Sequence, residues 1–255
     1  MKRVSEFFRR FGARALRTLL AVLSLAAMTG VFLLPAWGVR VGWLTHVQLV
    51  PAIMAGSVLE LALIAFSVAL FGRLYCSVVC PLGIAQDLFR FAFGWMLPKR
   101  GHAQSPSWVC WVRYGILALF VVGAVFGFTG LIAPYGIFGR FLAVGIRRVG
   151  EPAVVMVVWA IGLFAFVLAM TFVRARWWCN RVCPVGTFLG LFSRFAVFRV
   201  RIDAAKCVRC GLCAKTCDKG ALAVRDDKSI AVDASSCVAC FNCVGSCRKE
   251  ALTWR

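Results

Sequence analysis

Cys207-Val208-Arg209-Cys210-Gly211-Leu212-Cys213-Ala214-Lys215-Thr216-Cys217 spells C-x2-C-x2-C-x3-C, and the same spacing returns at Cys237, Cys240, Cys243 and Cys247. A run of this form given twice is the pattern of a bacterial two-cluster ferredoxin. Three closely spaced thiolates wrap one corner of a cuboidal cluster, and the fourth cysteine of each run ligates the other cluster. The spacing therefore predicts two [4Fe–4S] clusters. One takes Cys207, Cys210, Cys213 and Cys247; the other takes Cys237, Cys240, Cys243 and Cys217. Structural zinc favours paired C-x2-C units instead. Asp218 and Arg248 stand where such runs usually carry proline, which leaves the spacing intact and bears on the redox potential. Residues 201–255 are expected to form a small α+β ferredoxin-like domain.

Upstream, the composition changes class. Of 255 residues, 62% are hydrophobic and only 16% charged, against about 45–50% and about 25% in soluble domains. The apolar residues gather into four runs, roughly Leu19 to Trp37, Ala52 to Phe71, Tyr114 to Ala133 and Ala153 to Val173. Each approaches the roughly 20 residues a helix needs to cross a hydrocarbon core. In lipid the backbone must satisfy its own hydrogen bonds, so four transmembrane helices are expected. Lys2, Arg3, Arg9, Arg10, Arg14 and Arg17 precede the first run, as in a signal peptide. The run is long for one, and Leu33-Leu34-Pro35-Ala36-Trp37 offers no cleavage site, so a retained helix is expected.

The 30 Lys and Arg residues orient the chain. Six precede the first run, five separate the second from the third, and fifteen follow the fourth; Arg40, Arg140, Arg147 and Arg148 alone fall on the other side. The positive-inside rule then puts both termini in the cytoplasm, with the chain in a bacterial inner membrane. Disulfides do not persist on that reducing face, which removes them as a reading of the double cysteine run. The net charge of +20 tracks the helix flanks, so it gives no reason to expect a nucleic acid partner.

The membrane part is duplicated. Gly72-Arg73-Leu74-Tyr75-Cys76-Ser77-Val78-Val79-Cys80-Pro81-Leu82-Gly83 follows the second run, and Arg176-Trp177-Trp178-Cys179-Asn180-Arg181-Val182-Cys183-Pro184-Val185-Gly186 follows the fourth. Each has an aromatic residue, then C-x3-C-P-x-G, then an amphipathic stretch (Leu88-Phe89-Arg90-Phe91; Leu191-Phe192-Ser193-Arg194-Phe195). Residues 1–100 and 101–200 therefore read as two repeats of helix, outer loop, helix, cysteine motif and interfacial helix. Two crossings per unit return the chain to one side, so the repeats are parallel. Cys76 and Cys80 could meet Cys179 and Cys183 beneath the bundle. Such a thiolate-rich site could hold a further cluster or a soft metal such as Cu(I), or act through thiol chemistry alone. The alternative is four buried small residues. Cys110 has no partner motif and reads as an ordinary buried cysteine.

Four helices, two C-x3-C-P-x-G motifs and a C-terminal double ferredoxin run together resemble the NapH/MauN family of ferredoxin-type membrane proteins. The likeness runs from the first helix to Cys247; either motif alone is also similar to the NosR, PceC and CcoG types. The resemblance implies a quinol dehydrogenase component drawing electrons from the quinone pool. Its partner would be a NapG-like ferredoxin or another periplasmic oxidoreductase, as in periplasmic nitrate reduction or methylamine utilisation. The likeness to CcoG implies an alternative, a copper-handling or metal-reducing maturation factor using Cys76, Cys80, Cys179 and Cys183. A sensor of the quinone pool is a third reading.

Glu60 lies inside the second apolar run, where an ionisable group is a candidate for proton transfer from quinol. His46, between the first two runs, could hydrogen-bond a quinol hydroxyl. His46 and His102 are the only histidines and fall on opposite sides, so together they cannot ligate one haem; C-x-x-C-H is absent too. Trp37, Trp43, Trp108, Trp111, Trp177 and Trp178 cluster near helix ends, as interfacial anchors do.

Overall fold

The computed structural model describes residues 2–33, 48–94, 107–125, 133–146, 154–173 and 175–254. Helix α1 runs Lys2–Leu33. The second apolar run is not one helix. It splits into α2 (Leu49–Ala55) and α3 (Val58–Phe71), because Gly56 takes a left-handed conformation (φ 65°) that ends the first piece. A 3-10 turn, Gly72–Leu74, leads into α4 (Tyr75–Val78) and α5 (Pro81–Phe93). The second repeat supplies α6 (Ser107–Val125), α7 (Pro134–Ile146), α8 (Val154–Val173), α9 (Trp177–Arg181) and α10 (Pro184–Phe192).

Two of these helices, α2 and α7, occupy stretches expected to be outer loop or helix end. They do not stay at the far side. Gln48, just before α2, donates through Nε2 to the Val79 carbonyl (3.2 Å) and accepts from the Tyr75 hydroxyl (3.1 Å). Pro134, which opens α7, lines the same small cavity as Cys80 and Val185. In both repeats, then, the chain between the long helices returns to the cysteine motif. Helix α7 packs along α8, with Phe141 stacked on Phe164 at 4.1 Å between ring centroids. Both pieces are helical, and Leu49, Val50 and Ala52 of α2 and Ile137 and Phe138 of α7 bury in the core around the motif.

Two helical stretches, Gly12–Val31 and Val58–Val78, are long and apolar enough to cross a membrane; Trp111–Ala124 and Val158–Phe172 are shorter apolar helices. All four fall on the four apolar runs of the sequence.

The remaining residues form a β-α-β-β-α-β unit: β1 (Val200–Ile202), α11 (Leu212–Thr216), β2 (Leu222–Val224), β3 (Ile230–Val232), α12 (Asn242–Ser246) and β4 (Leu252–Trp254). Strand β1 pairs antiparallel with β4 (Val200↔Trp254), and β2 with β3 (Leu222↔Val232), so each two-stranded sheet takes one strand from each half. The loop before each short helix turns through two positive-φ residues, Arg209 and Gly211 in one half, Ala239 and Phe241 in the other. A non-glycine residue there costs roughly 1–2 kcal/mol. Phe241 holds its place by packing: it is buried and meets Trp254 edge-on at 5.0 Å.

This unit is fastened to the helices. The Val197 and Phe198 amides donate to the carbonyls of Ala69 (3.0 Å) and Leu70 (2.8 Å), satisfying the last turn of α3. Phe71, Phe198 and Trp254 stack beside that joint at 5.6 to 5.8 Å. From α1, Arg14 reaches the carbonyls of Phe241 (3.1 Å) and Asn242 (2.7 Å).

Candidate redox centre

Cys80 and Cys183 sit at the N-caps of α5 and α10, each followed by proline at the first helical position. Proline suits that position because its missing N–H would be unpaired there anyway. In the second motif the glycine of C-P-x-G turns its amide back on the sulfur: Gly186 N–H donates to Cys183 Sγ at 3.4 Å. Two helix N-termini therefore point partial positive charge at sulfur, an arrangement that favours thiolate.

The two motifs meet. Cys76, Cys80, Cys179 and Cys183 are all buried, between 3% and 5% exposed, in one apolar core with Tyr75, Leu82, Val167 and Leu189. They lie within each other's electrostatic reach. Burial pushes Cys80, Cys179 and Cys183 up from the ordinary thiol value, and neighbouring thiols from the other motif push further. Arg176 and Arg73 act in the opposite sense on Cys179. Among the described residues no three His, Cys, Asp or Glu side chains stand close enough to hold a single metal ion.

Across the repeat boundary the arginines are exchanged. Arg176, three residues before Cys179, donates to the Cys76 carbonyl at 2.7 Å. Arg73, three residues before Cys76, donates to the Cys179 carbonyl at 2.9 Å. Neither arginine was singled out by the cysteine spacing, although the aligned repeats carry both at the same offset. Their reach explains the motif's glycine. A Cβ at Gly186 would collide with the Cys179 carbonyl oxygen and stand 2.8 Å from Arg73 Nη2; one at Gly83 would collide with the Cys76 carbonyl oxygen. Gly186→Ala is expected to force α10 away and break the exchanged bond, at a cost of about 1–3 kcal/mol. Thermal unfolding should register that fall. Gly162→Ala, where nothing lies within 4 Å of the added carbon, should leave the midpoint unchanged or slightly raised.

Around the thiols, charge is unbalanced. Asp87 of α5 receives Arg17 (2.6 Å), Arg176 (2.6 and 3.0 Å) and Lys219 (2.6 Å). Burial alone would raise the Asp87 carboxyl, but Arg176, Lys219 and Arg17 outweigh it and hold it well below the usual carboxylate range. Asp218 faces Lys219 (3.5 Å) and Arg90 (3.9 Å). Arg73, 1% exposed, bonds only neutral oxygens: Cys179 O, Asn180 Oδ1 and Ser235 O. Cations thus outnumber carboxylates beside the thiols, which suits a centre made net negative by its thiolates. Among the described residues, three buried donors here also lack partners, Arg17 Nε, Arg73 Nε and Trp178 Nε1, as do two acceptors, Gln86 Oε1 and Asp218 Oδ1. Gln86 Nε2 meanwhile donates to Cys179 Sγ at 3.5 Å. Buried donors left open are costly unless an acceptor such as sulfide completes them.

In the ferredoxin-like unit, Cys217, Cys237, Cys240 and Cys243 line one cavity together with Val238 and Phe241. That is the crossed set expected from the spacing, three thiols from the second run and the fourth from the first. Burial, then the Cys240 and Cys217 thiols, push Cys237 up to about 11. Cys213 likewise feels Cys207 and Cys247, the other crossed set. Cys210 is exposed, while Cys213 and Cys217 are buried.

The quinol candidates fare differently. Glu60 lies in the first turn of α3, hydrogen-bonded to Ser57 as in a helix start. It stands sixteen positions before Cys76, with α3 ending at Phe71 and a turn at Gly72 (φ 65°) between them. His46 lies outside the described residues. Nearer the thiols the structure brings Tyr75, the aromatic residue of the first motif, and Gln48, which carried no sequence signal.

A family model described as "4Fe-4S binding domain" matches the chain twice, over residues 52–101 and 155–203. One described as "4Fe-4S dicluster domain" matches residues 199–248. The methylamine utilization ferredoxin-type protein MauN of Paracoccus denitrificans is 34% identical over 57% of this chain and 48% of its own length. The ferredoxin-type protein NapH of Haemophilus influenzae is 28% identical over 61% and 50%. NapH of Escherichia coli is 32% identical over 57% and 47%. The chain thus spans about half the length of the curated relatives it matches. No solved structure matches it.

Proposed function

The chain belongs to the NapH/MauN family of ferredoxin-type proteins, and from that premise we propose that it is a membrane electron-transfer subunit that oxidises quinol and passes the electrons through three iron–sulfur sites. The observation that carries this reading is the burial of four thiols, two from each repeat, in one apolar core, tied through Arg73 to the ferredoxin-like unit. Cys76, Cys80, Cys179 and Cys183 would hold one [4Fe–4S] cluster; Cys217, Cys237, Cys240 and Cys243 a second; Cys207, Cys210, Cys213 and Cys247 a third. Such clusters supply one-electron exchange without moving atoms. The protein's residues do the rest: α5 and α10 aim their N-termini at sulfur, and Arg73 and Arg176 tie each motif's backbone to the other. The apolar core keeps water out.

The membrane reading rests on the four apolar helices and on their exposed Leu19, Leu23, Leu63, Phe66, Leu119 and Val158. With the basic side cytoplasmic, both termini and the ferredoxin-like unit face the cytoplasm of a bacterial inner membrane. Quinol would approach from the bilayer, and a NapG-like ferredoxin or other oxidoreductase would accept the electrons.

The test is iron and acid-labile sulfide per chain on anaerobically purified protein, followed by EPR during addition of a quinol analogue. About twelve irons, four per cubane, with signals that appear on quinol addition, is the expected result. Eight irons with bound copper and no response to quinol would reject the reading.

A further inference from the structure

The two membrane repeats are near copies, yet the ferredoxin-like unit meets them unequally. The inequality falls on three pairs of equivalent positions. Arg73 and Arg176 make the same cross-repeat bond to a cysteine carbonyl, but their other nitrogens diverge. Arg73 Nη1 reaches into the ferredoxin-like unit, to Ser235 O at 2.7 Å, whereas Arg176 turns to Asp87. The residue after the first cysteine is Asn180 in one repeat and Ser77 in the other. Asn180 accepts from Arg73 (2.8 Å) and donates to the Lys219 carbonyl (2.9 Å), while Ser77 bonds back to its own turn at Leu74 O. Seven residues after the second cysteine stand Gly190 and Asp87. A Cβ at Gly190 would lie 2.9 Å from Ser235 O, so the glycine is what lets that backbone seat; Asp87 instead receives Lys219.

Each divergence serves the seat of one segment, Cys217 to Cys237. Ser235 lies two residues before Cys237, and Lys219 two residues after Cys217. Both belong to the crossed set that lines the buried cavity, whereas Cys210 of the other set is exposed. Resting on the function proposed above, we infer that Arg73 is a positioning residue that couples the four-thiol site to the Cys217, Cys237, Cys240 and Cys243 site, and so fixes the order of electron flow. An electron leaves the four-thiol site, which is oxidised by one, and enters that buried site, which is reduced by one, with no bond or proton transferred. The site of Cys207, Cys210, Cys213 and Cys247 comes last and gives the electron to the partner at the exposed Cys210. The second motif, not the first, is the exit from the membrane repeats. The Arg73 charge sits on the Cys179 carbonyl (2.9 Å) and on the carbonyl of Ser235, two residues before Cys237 (2.7 Å), where a fixed cation would favour the reduced state of either side.

The test uses the full chain: midpoints are read by equilibrium titration with dithionite, which stands apart from quinol oxidation, and electron arrival is read by rapid-freeze EPR after a quinol analogue is added. Wild-type iron content tests the three-site reading; the variants below test the coupling. In Arg73→Gln, redox titration followed by EPR should show both flanking sites harder to reduce, by about tenfold in the one-electron equilibrium, or about 59 mV. The exposed site should keep its midpoint. Arg73→Lys keeps the charge but loses the fork, so it should preserve both midpoints while electron arrival at the exposed site slows at least tenfold. Asn180→Ser, which installs the other repeat's residue, should slow arrival without loss of iron and serves if Arg73 variants fail to fold. Equal midpoint shifts at all three sites, or arrival at the wild-type rate in variants with full iron, would overturn the inference.

Discussion

Cys183→Ser is expected to purify with about eight irons per chain instead of about twelve, and Cys80→Ser with the same eight. Each change removes one thiol from the space enclosed by the two repeats, and a cubane needs all four corners. Because one site draws on both motifs, Cys80→Ser combined with Cys183→Ser should lose no more iron than either alone, a non-additivity that marks residues acting as a unit. If each C-x3-C-P pair instead held its own centre, the single changes would each remove one portion and the double change both. EPR adds the second half of the expectation. The two ferredoxin-type signals should survive in the variants and respond to dithionite, while reduction by a quinol analogue is lost. Cys110→Ser, outside both motifs, should retain every iron. Quinol-driven signals at wild-type rate in Cys183→Ser would remove the four-thiol site from the electron path.

What the sequence made legible was whatever is written in spacing. The crossed cysteine sets and the C-x3-C-P-x-G duplication are local patterns, and the thiols they name do converge. Spacing also hinted at the arginines, since Arg73 and Arg176 each precede the first cysteine by three, but nothing local says that each reaches the opposite repeat. Asp87, Lys219 and Asn180 escape for the same reason: their partners lie 70 to 132, 39 to 132 and 39 to 107 positions away. Helices α2 and α7 were hidden by composition. Apolar residues continue through Gly56-Ser57 and past Pro134, so the runs carry no polar break where the backbone turns inward. Glu60 draws notice as an acid inside an apolar run, and the structure adds its place at a helix start, where a negative charge is favoured by the axial dipole.

The largest stability effect is expected at Asp87. It is the carboxylate on which α1, both repeats and the ferredoxin-like unit converge, through Arg17, Arg176 and Lys219. Arg176 and Lys219 are 0% and 5% exposed at the side chain, so neither can recover its hydration if the partner is lost. Asp87→Asn keeps the shape and removes the charge. Breaking a buried pair from one side costs about 3–5 kcal/mol, and here several cations are stranded together. Thermal unfolding should fall accordingly, and limited proteolysis should cleave near Arg199 before the helices are attacked, because the seat loosens first. Adding Lys219→Gln to Asp87→Asn should return part of the loss, since one stranded charge is then removed. Acid should act in the same place with a definite sign. The folded carboxyl titrates well below the unfolded value of about 3.9, so its contribution is complete above about pH 4 and drains away as the pH falls further. Asp87→Asn should lack that acid-limb loss and lie parallel to wild type only above pH 4. If wild type and Asp87→Asn unfold at the same temperature at pH 7, the cations are solvated in a way their burial does not allow, and the seat must be held by the Phe71, Phe198 and Trp254 stack instead.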